Sequence, residues 1–229
     1  IYTNSKTKKQ NKALNNINFK VKQGEVFGLL GPNGAGKTTF LSILGGTVSK
    51  TSGKIDVWGF NIDKNPRQVK ASIGIVPQEV NLDAFFSPRK LLELQAGLYG
   101  ITKKDRITEL ILKMVALEDK ADAYSRSLSG GMKRRLLIAK AMVHQPPILV
   151  LDEPTAGINP TLINGIIDRL IKVNKDFGIT LLVIEHNMRV IMQLAESIFC
   201  LAHGKMLANG SPDEIKNDKR VIDAYLGAQ

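Results

Sequence analysis

Two separate segments of the chain contain residues that are suited to binding phosphate. The first, "LSGGMKRR" from Leu128 to Arg135, places a serine and two glycines before three basic residues. The Ser129 hydroxyl and exposed N–H groups at Gly130 and Gly131, with a helix beginning near Met132, would form a small anion nest. An ordinary turn that starts a helix is the alternative interpretation. We expect Lys133, Arg134 and Arg135 to face solvent or a partner rather than nucleotide.

The second segment, "GPNGAGKT", matches the phosphate-loop pattern G-x-x-x-x-G-K-[ST]. Glycines let backbone N–H groups approach a phosphate, Lys37 can reach the β- and γ-phosphates, and the Thr38 hydroxyl can bind Mg²⁺. A glycine-rich turn without function is less favoured, because a predicted strand precedes the segment and a predicted helix follows it. Nucleotide kinases, GTPases and many ATPases share this loop. The residues predicted here to bind phosphate are Gly31, Pro32, Asn33, Gly34, Ala35, Gly36, Lys37 and Thr38.

An acidic pair follows the apolar run of "ILVLDEP". Asp152 is placed at the end of this predicted strand, where it can hold Mg²⁺ directly or through water. The adjacent Glu153 would face the terminal phosphate and polarise an attacking water. Two exposed acids at a strand end are the alternative, which the apolar run and the following "PTAG" turn make less favoured.

The elements that must position these residues follow an alternating order. Continuous apolar runs in "VKQGEVFGLLG", "PILVLDE" and "GITLLVIEH" predict strands buried on both faces of a parallel sheet. "SPRKLLELQAGLYG" predicts a helix in the middle of the chain, with Ser87 as N-cap and Pro88 in its first turn. "SIFCLAHGKMLANG" predicts a hairpin. The sequence thus predicts an α/β fold with a helical insert.

Composition limits the class of protein further. The 229 residues are 43% hydrophobic and 23% charged, as in ordinary globular domains, and no apolar run reaches the length of a membrane helix. The net charge of +11 comes from scattered lysines, so we expect a solvated face rather than nucleic-acid binding. Cys200, the only cysteine, is expected to be buried, and the absence of an internal disulfide favours a reducing compartment.

The ordered set "GPNGAGKTT", "PQE", "LSGGMKRR", "LVLDEPTAG" and "IEHN" resembles the nucleotide-binding subunit of ABC transporters. This resemblance covers nearly the whole chain. It implies a P-loop NTPase fold with a parallel core sheet, an antiparallel β subdomain and a helical insert. It also implies one ABC ATPase domain over 1–229, with a core of 1–78 and 128–229 and a helical subdomain at 79–127.

The resemblance assigns roles to individual residues. It extends the phosphate loop to Thr39 and makes Gln78 the glutamine that contacts Mg²⁺ or water. It makes Asp152 and Glu153 the metal ligand and the catalytic glutamate, and His186 the histidine that contacts the γ-phosphate; a surface histidine is the alternative. Tyr2 is the candidate for stacking on adenine.

In the family, each ATP lies between the phosphate loop of one subunit and the LSGG of another in a head-to-tail dimer. The resemblance therefore implies ATP and Mg²⁺ as cofactors and a homodimer or a related ABC ATPase subunit as partner. It also implies an integral membrane permease, at which the chain would lie peripherally on the cytoplasmic face. The turn "AGINP" departs from the family pattern, because it has Asn159 where the family usually has aspartate.

The resemblance divides along the chain. Residues 1–157 resemble ATPases of the ABC-2 export type, as in "TSGKIDVWGF" and "GGMKRRLLIAKAM". Residues 158–229 resemble the ATPases of branched-chain amino-acid importers, which suggests a chimera. Because the helical insert resembles the export branch, we expect an export permease. An importer ATPase and a soluble non-transport ABC ATPase remain alternatives.

Overall fold

The computed structural model of the chain describes residues 1–3 and 10–226. Within these residues the strands are β1 (Tyr2–Thr3), β2 (Gln10–Asn11), β3 (Val26–Leu30), β4 (Asp56–Val57), β5 (Phe60–Asn61), β6 (Ile73–Val76), β7 (Ile148–Asp152), β8 (Thr180–Glu185), β9 (Ser197–Ala202) and β10 (Lys205–Gly210). The main sheet has the order β10-β9-β3-β8-β7-β6. All of its pairs are parallel except β9 with β10, which confirms the predicted parallel core and the predicted hairpin.

Helices connect the strands of this sheet. Within the described residues they are α1 (Lys37–Leu44), α2 (Pro66–Ala71), α3 (Pro88–Leu98), α4 (Thr108–Met114), α5 (Gly130–Met142), α6 (Pro160–Phe177), α7 (Met188–Leu194), α8 (Pro212–Asn217) and α9 (Lys219–Leu226). None of the described helices is long and apolar enough to span a bilayer. The Ser87 hydroxyl accepts a hydrogen bond from the Lys90 N–H at the start of α3, as predicted.

The sheet separates two hydrophobic layers. Successive residues of a strand point to opposite faces, so Leu149 and Leu151 pack in one layer and Val150 in the other. All residues of β3 and β8 are buried, which is why these strands read as continuous apolar runs. Cys200 of β9 is buried in the first layer, as predicted, and burial raises the pKa of its thiol to about 12.

The helical middle of the chain shares its core with one of these layers. Leu92 of α3 and Ile111 of α4 belong to the same cluster as Leu136 of α5 and Leu151 of β7. Hydrophobic burial therefore fixes this region to the sheet rather than leaving it as a separate body. The division at residues 79 and 127 stays a prediction.

Antiparallel pairing outside the main sheet is limited to short ladders among the described residues. β4 and β5 pair through two residues each. β1 and β2 pair with Tyr2 opposite Asn11. This second ladder brings the N-terminal segment back beside the residues that precede the phosphate loop.

Candidate functional site

The predicted site residues follow four neighbouring strands of the sheet. Gly31 follows β3, His186 follows β8, Asp152 ends β7, and Gln78 comes two residues after β6. These strands are adjacent and parallel, so their carboxyl ends lie at the same edge. Ligands of open α/β sheets bind at such an edge.

The loop between β3 and α1 wraps around the Lys37 ammonium. Its Nζ donates hydrogen bonds to the carbonyls of Gly31, at 2.7 Å, and Pro32, at 3.2 Å. Gly36 has a φ of 110°, and a Cβ there would lie 2.8 Å from the Ala13 carbonyl oxygen. Glycine is therefore required at this position for both conformation and space.

The Glu153 carboxylate is held by two other predicted site residues. Gln78 Nε2 donates to Glu153 Oε2 at 2.7 Å, and His186 Nδ1 lies 2.9 Å from Glu153 Oε1. Glu153 is 8% exposed, and its backbone has a φ of 44°, in the left-handed region. Because that conformation is costly for a residue with a Cβ, the surrounding contacts must hold it.

Buried charges surround this carboxylate. Burial and the charge of Glu153 raise the pKa of Asp152, while Lys37 acts in the opposite direction. Burial lowers the pKa of the Lys37 ammonium, although Glu153 and Asp152 oppose the shift. The ammonium and the two carboxylates therefore offset part of each other's desolvation.

These side chains line one open pocket of about 680 Å³. Most of the predicted site residues are among its walls: Tyr2, Asn33, Gly34, Ala35, Gly36, Lys37, Thr38, Thr39, Gln78, Asp152, Glu153 and His186. Tyr2 reaches the pocket through its pairing with β2, although nine residues separate it from Lys12 on the same rim.

The LSGG residues lie outside this pocket. Ser129 caps α5, because its hydroxyl accepts a hydrogen bond from the Met132 N–H at 3.3 Å. Ser129 and Gly130 are exposed, so the first N–H groups of α5 point to a free surface of the described chain. The structure thus brings the phosphate loop, Gln78, the acidic pair and His186 together and leaves LSGG apart.

The expectation that the basic residues of "MKRR" face solvent or a partner is wrong for both arginines. Arg134 is 1% exposed and donates hydrogen bonds to backbone carbonyls. Arg135 is half-buried and donates to the carbonyls of Val115 and Ala116. A guanidinium can satisfy several carbonyls at once, which allows arginine at positions that a charge pattern assigns to the surface.

Sequence reasoning missed several residues around the site. Lys12, Ala13, His203 and Gly204 also line the pocket. Gly204 lies at the tip of the β9–β10 hairpin and donates its N–H to the Ala35 carbonyl at 2.9 Å. The parallel pairing of β9 with β3 brings this tip to the phosphate loop, and that pairing has no local signal in the sequence.

Comparison with known proteins identifies the class of this site. Residues 14–156, more than half of the chain, match the family model described as "ABC transporter". This range contains the phosphate loop, Gln78, LSGG and the acidic pair. The chain belongs to the ABC transporter family. A second model, described as "Branched-chain amino acid ATP-binding cassette transporter", matches residues 205–229.

Curated relatives of this ABC ATP-binding chain include proteins named for export and resistance. It is 40% identical to the Nod factor export ATP-binding protein I of Rhizobium sp. (strain N33), over 94% of this chain and 69% of that protein. It is 39% identical to the linearmycin resistance ATP-binding protein LnrL of Bacillus subtilis (strain 168), over 87% of this chain and 64% of that protein.

Solved structures confirm the fold of the ABC chain. The protein cbiO1 of Clostridium perfringens, described as part of an ABC transporter complex, superposes with a TM-score of 0.83 and 29% identity, over 100% of this chain and 96% of that one. The cassette MJ0796, described as dimeric in a post-hydrolysis state with ADP and Pi, gives a TM-score of 0.74 and 28% identity, over 87% and 90%. The family and this hydrolysis-state relative identify the chain as an ATP hydrolase of the ABC type.

Proposed function

We propose that this chain is the ATP-hydrolysing subunit of an ABC exporter and that it acts as a head-to-tail dimer. One observation supports the dimer most directly. The pocket contains the phosphate loop, Gln78, Glu153 and His186, whereas Ser129 is exposed at the start of α5, outside that pocket. A second copy, or a related ABC ATPase subunit, would supply its Ser129, Gly130 and Gly131 to the ATP bound here.

Mg²⁺ fits the oxygen ligands of the pocket. Thr38, Gln78 and Asp152 line the pocket, and their side chains carry a hydroxyl, an amide carbonyl and a carboxylate. Mg²⁺ prefers oxygen ligands and usually takes one or two carboxylates together with water and substrate phosphates. When bound, it would neutralise charge that develops on the phosphates during transfer.

The remaining residues of the pocket have separate roles in the proposed hydrolysis. The backbone N–H groups of residues 31–39 and the Lys37 ammonium would hold the phosphates of ATP. Glu153 would accept a hydrogen bond from the attacking water and orient it toward the terminal phosphate. Gln78 and His186, which contact the two oxygens of Glu153, would fix the orientation of that carboxylate.

Tyr2 is proposed to stack on the adenine ring. Tyr2 is 44% exposed and lines the pocket together with Lys12 and Ala13, which directly follow β2, the strand that pairs with β1. An exposed aromatic ring at the rim of a phosphate site offers a flat surface for a base, whose stacking is worth roughly 1–3 kcal/mol.

A membrane permease is the proposed partner of the helical region. Phe85 is 70% exposed and Tyr124 is 56% exposed, and the Arg126 guanidinium lies over both rings, 5.7 Å and 5.1 Å from their centroids. Exposed aromatic and arginine side chains are typical of protein interfaces. The name of the Nod factor export relative favours an export permease, and with it a peripheral location on the cytoplasmic face of the membrane.

A branched-chain amino-acid importer is the second candidate, because the model of that family matches residues 205–229. Co-purification with membrane proteins separates the two candidates. An exporter permease bound to the chain supports the first, and an importer permease supports the second.

The catalytic proposal is tested with Glu153→Gln. We expect this variant to bind ATP like the native chain and to hydrolyse it about 10² to 10⁴ times more slowly, because the water would lose its base. Glu196→Gln is the matched control, since Glu196 is exposed and is not among the residues that line the pocket. Near-normal turnover of Glu153→Gln in a steady-state ATPase assay would contradict the proposal.

A further inference from the structure

We propose that Arg134 is a positioning residue for ATP hydrolysis, which acts by holding Gln78 against Glu153. This inference rests on the function proposed above, because it concerns the same pocket. Arg134 lies in the second turn of α5, the helix that begins at the LSGG glycines. It does not line the pocket, so its effect must pass through other residues.

The guanidinium of Arg134 joins two segments that meet at the site. Its Nη1 donates to the Pro77 carbonyl at 2.8 Å, and its Nη2 donates to the Gln78 carbonyl at 2.7 Å. The same Nη2 donates to the Ala156 carbonyl at 3.1 Å. The planar, forked donor geometry of arginine makes such a three-way contact possible from one side chain.

These three carbonyls flank the catalytic contact on both sides. The hydrogen bonds from Arg134 to the carbonyls of Pro77 and Gln78 hold the backbone on both sides of the Gln78 Cα. The Gln78 side-chain amide donates to Glu153 at 2.7 Å. The N–H of Ala156 donates to the Glu153 carbonyl at 2.9 Å. Arg134 therefore holds the backbone of Gln78, which is the hydrogen-bond donor, and the turn that follows Glu153, which is the acceptor.

The burial of the Arg134 charge indicates that this residue does more than stabilise the fold. Arg134 is 1% exposed, and its Nε has no hydrogen-bond partner among the described residues. Burial lowers the pKa of the guanidinium, and the charges of Glu185, Asp152 and Glu153 oppose this shift. A buried ion costs desolvation that an apolar side chain would avoid, so arginine at this position is better explained by what it aligns.

Because Arg134 lies on α5 and Ser129 caps this helix, Arg134 would link the proposed dimer contact to the Gln78–Glu153 hydrogen bond. Ser129, at the start of the same helix, would meet ATP bound by the other subunit. A shift of α5 on that contact would move the carbonyls of Pro77 and Gln78 through Arg134. Occupancy of one ATP site would thereby change the alignment of Glu153 in the other.

The test combines Arg134→Lys with Gln78→Ala in a double-mutant cycle on ATP hydrolysis. A lysine ammonium keeps the charge but cannot span all three carbonyls. We expect kcat to fall roughly 10- to 100-fold, because small misplacement of a catalytic group has effects of that size, and KM to change less than about twofold. In the Gln78→Ala background, Arg134→Lys should lower kcat by less than about twofold, since the contact is already gone.

Arg135→Lys is the matched control. Arg135 also donates to two backbone carbonyls, those of Val115 and Ala116, but these belong to the helical region. Any loss of kcat from Arg135→Lys should be the same factor with or without Gln78. If Arg134→Lys lowers kcat by the same factor with or without Gln78, the inference is overturned. An unchanged kcat in Gln78→Ala alone would instead overturn the proposed role of Gln78.

A spectroscopic measurement tests the same contact without turnover. The ¹⁵N NMR signal of the Gln78 side-chain amide, assigned by its loss in Gln78→Ala, should move in Arg134→Lys and stay in place in Arg135→Lys. An unmoved signal in Arg134→Lys would overturn the inference. Arg134→Gln, which removes the buried charge and keeps an amide donor, serves as the second variant if the lysine variant does not fold.

Discussion

At the scale of single residues, the site concentrates buried charge near one carboxylate. Besides Asp152, Glu153 and Lys37, it contains Glu185, which is 1% exposed and accepts a hydrogen bond from the Thr155 hydroxyl at 2.8 Å. Burial raises the pKa of Glu185, and the hydrogen bonds from Thr155 only partly oppose this. The charged form of Glu185 is therefore less favourable in the folded chain than in the unfolded one.

This shift predicts a pH-dependent effect of Glu185→Gln. A carboxyl whose folded pKa is raised contributes stability below its ordinary value, near 4.5, and loses that contribution as pH rises through the raised value. Glutamine removes the titration and still accepts from Thr155. We expect the melting temperature of the variant, relative to the native chain, to increase from pH 4 to pH 8.

Differential scanning calorimetry at several pH values measures this difference. Glu196→Gln, which makes the same substitution at an exposed position, is measured as the control. A relative melting temperature that falls as pH rises would contradict the assigned direction of the Glu185 shift.

At the scale of elements, the sequence predicted what local patterns determine. Continuous apolar runs predicted the buried strands β3, β7 and β8, and the resemblance to ABC transporter subunits supplied Gln78 and His186 as further site residues. The role of Arg134 could not be predicted in this way, because its acceptors on Pro77 and Gln78 are 57 and 56 residues away. Only the packing of α5 beside β6 brings them together.

The tip of the β9–β10 hairpin gives the prediction that belongs to this scale. Gly204 has a φ of 72°, and a Cβ there would lie 2.4 Å from the Ala13 carbonyl oxygen. Gly178 has a similar φ of 63°, with no atom within 4 Å of a Cβ. Alanine at either position has the cost of the left-handed conformation, about 1–2 kcal/mol, but only at position 204 does it also displace backbone.

We therefore expect Gly204→Ala to lower the free energy of unfolding more than Gly178→Ala does. It should also weaken ATP binding, because the Gly204 N–H donates to Ala35 in the phosphate loop. Urea unfolding and a fluorescent-nucleotide titration measure the two effects. Equal costs and equal affinities for the two variants would show that the hairpin tip does not support the loop.

At the scale of the whole molecule, the change of resemblance predicted near residues 157–160 would fall inside one continuous sheet. β7 precedes this position in the chain, and β8 follows it. The two strands pair in parallel from Ile148 with Thr180 to Asp152 with Ile184. The branched-chain model matches only residues 205–229 of the predicted second part, and the Nod factor export relative aligns over 94% of the chain. The division near residues 157–160 and the chimera therefore stay hypotheses.

The turn that contains Asn159 bears on the oligomeric state of the isolated chain, because the family usually has aspartate at this position. Asn159 uses its side-chain carbonyl to accept hydrogen bonds from the Thr161 N–H and hydroxyl, and so it caps α6. We expect a monomer at low concentration that binds ATP, with weak hydrolysis without a permease. Analytical ultracentrifugation and an ATPase assay check this, and a tight constitutive dimer with high basal turnover would contradict it.

In the proposed dimer, Ser129 of one subunit completes the ATP site of the other. Mixing Ser129→Arg with Lys37→Ala, two variants that should each be inactive alone, tests this arrangement most directly. In a mixed head-to-tail dimer, one site receives both substitutions and the other receives neither. We therefore expect ATPase activity to return on mixing. Failure of activity to return, with mixed dimers demonstrated by native mass spectrometry, would contradict it.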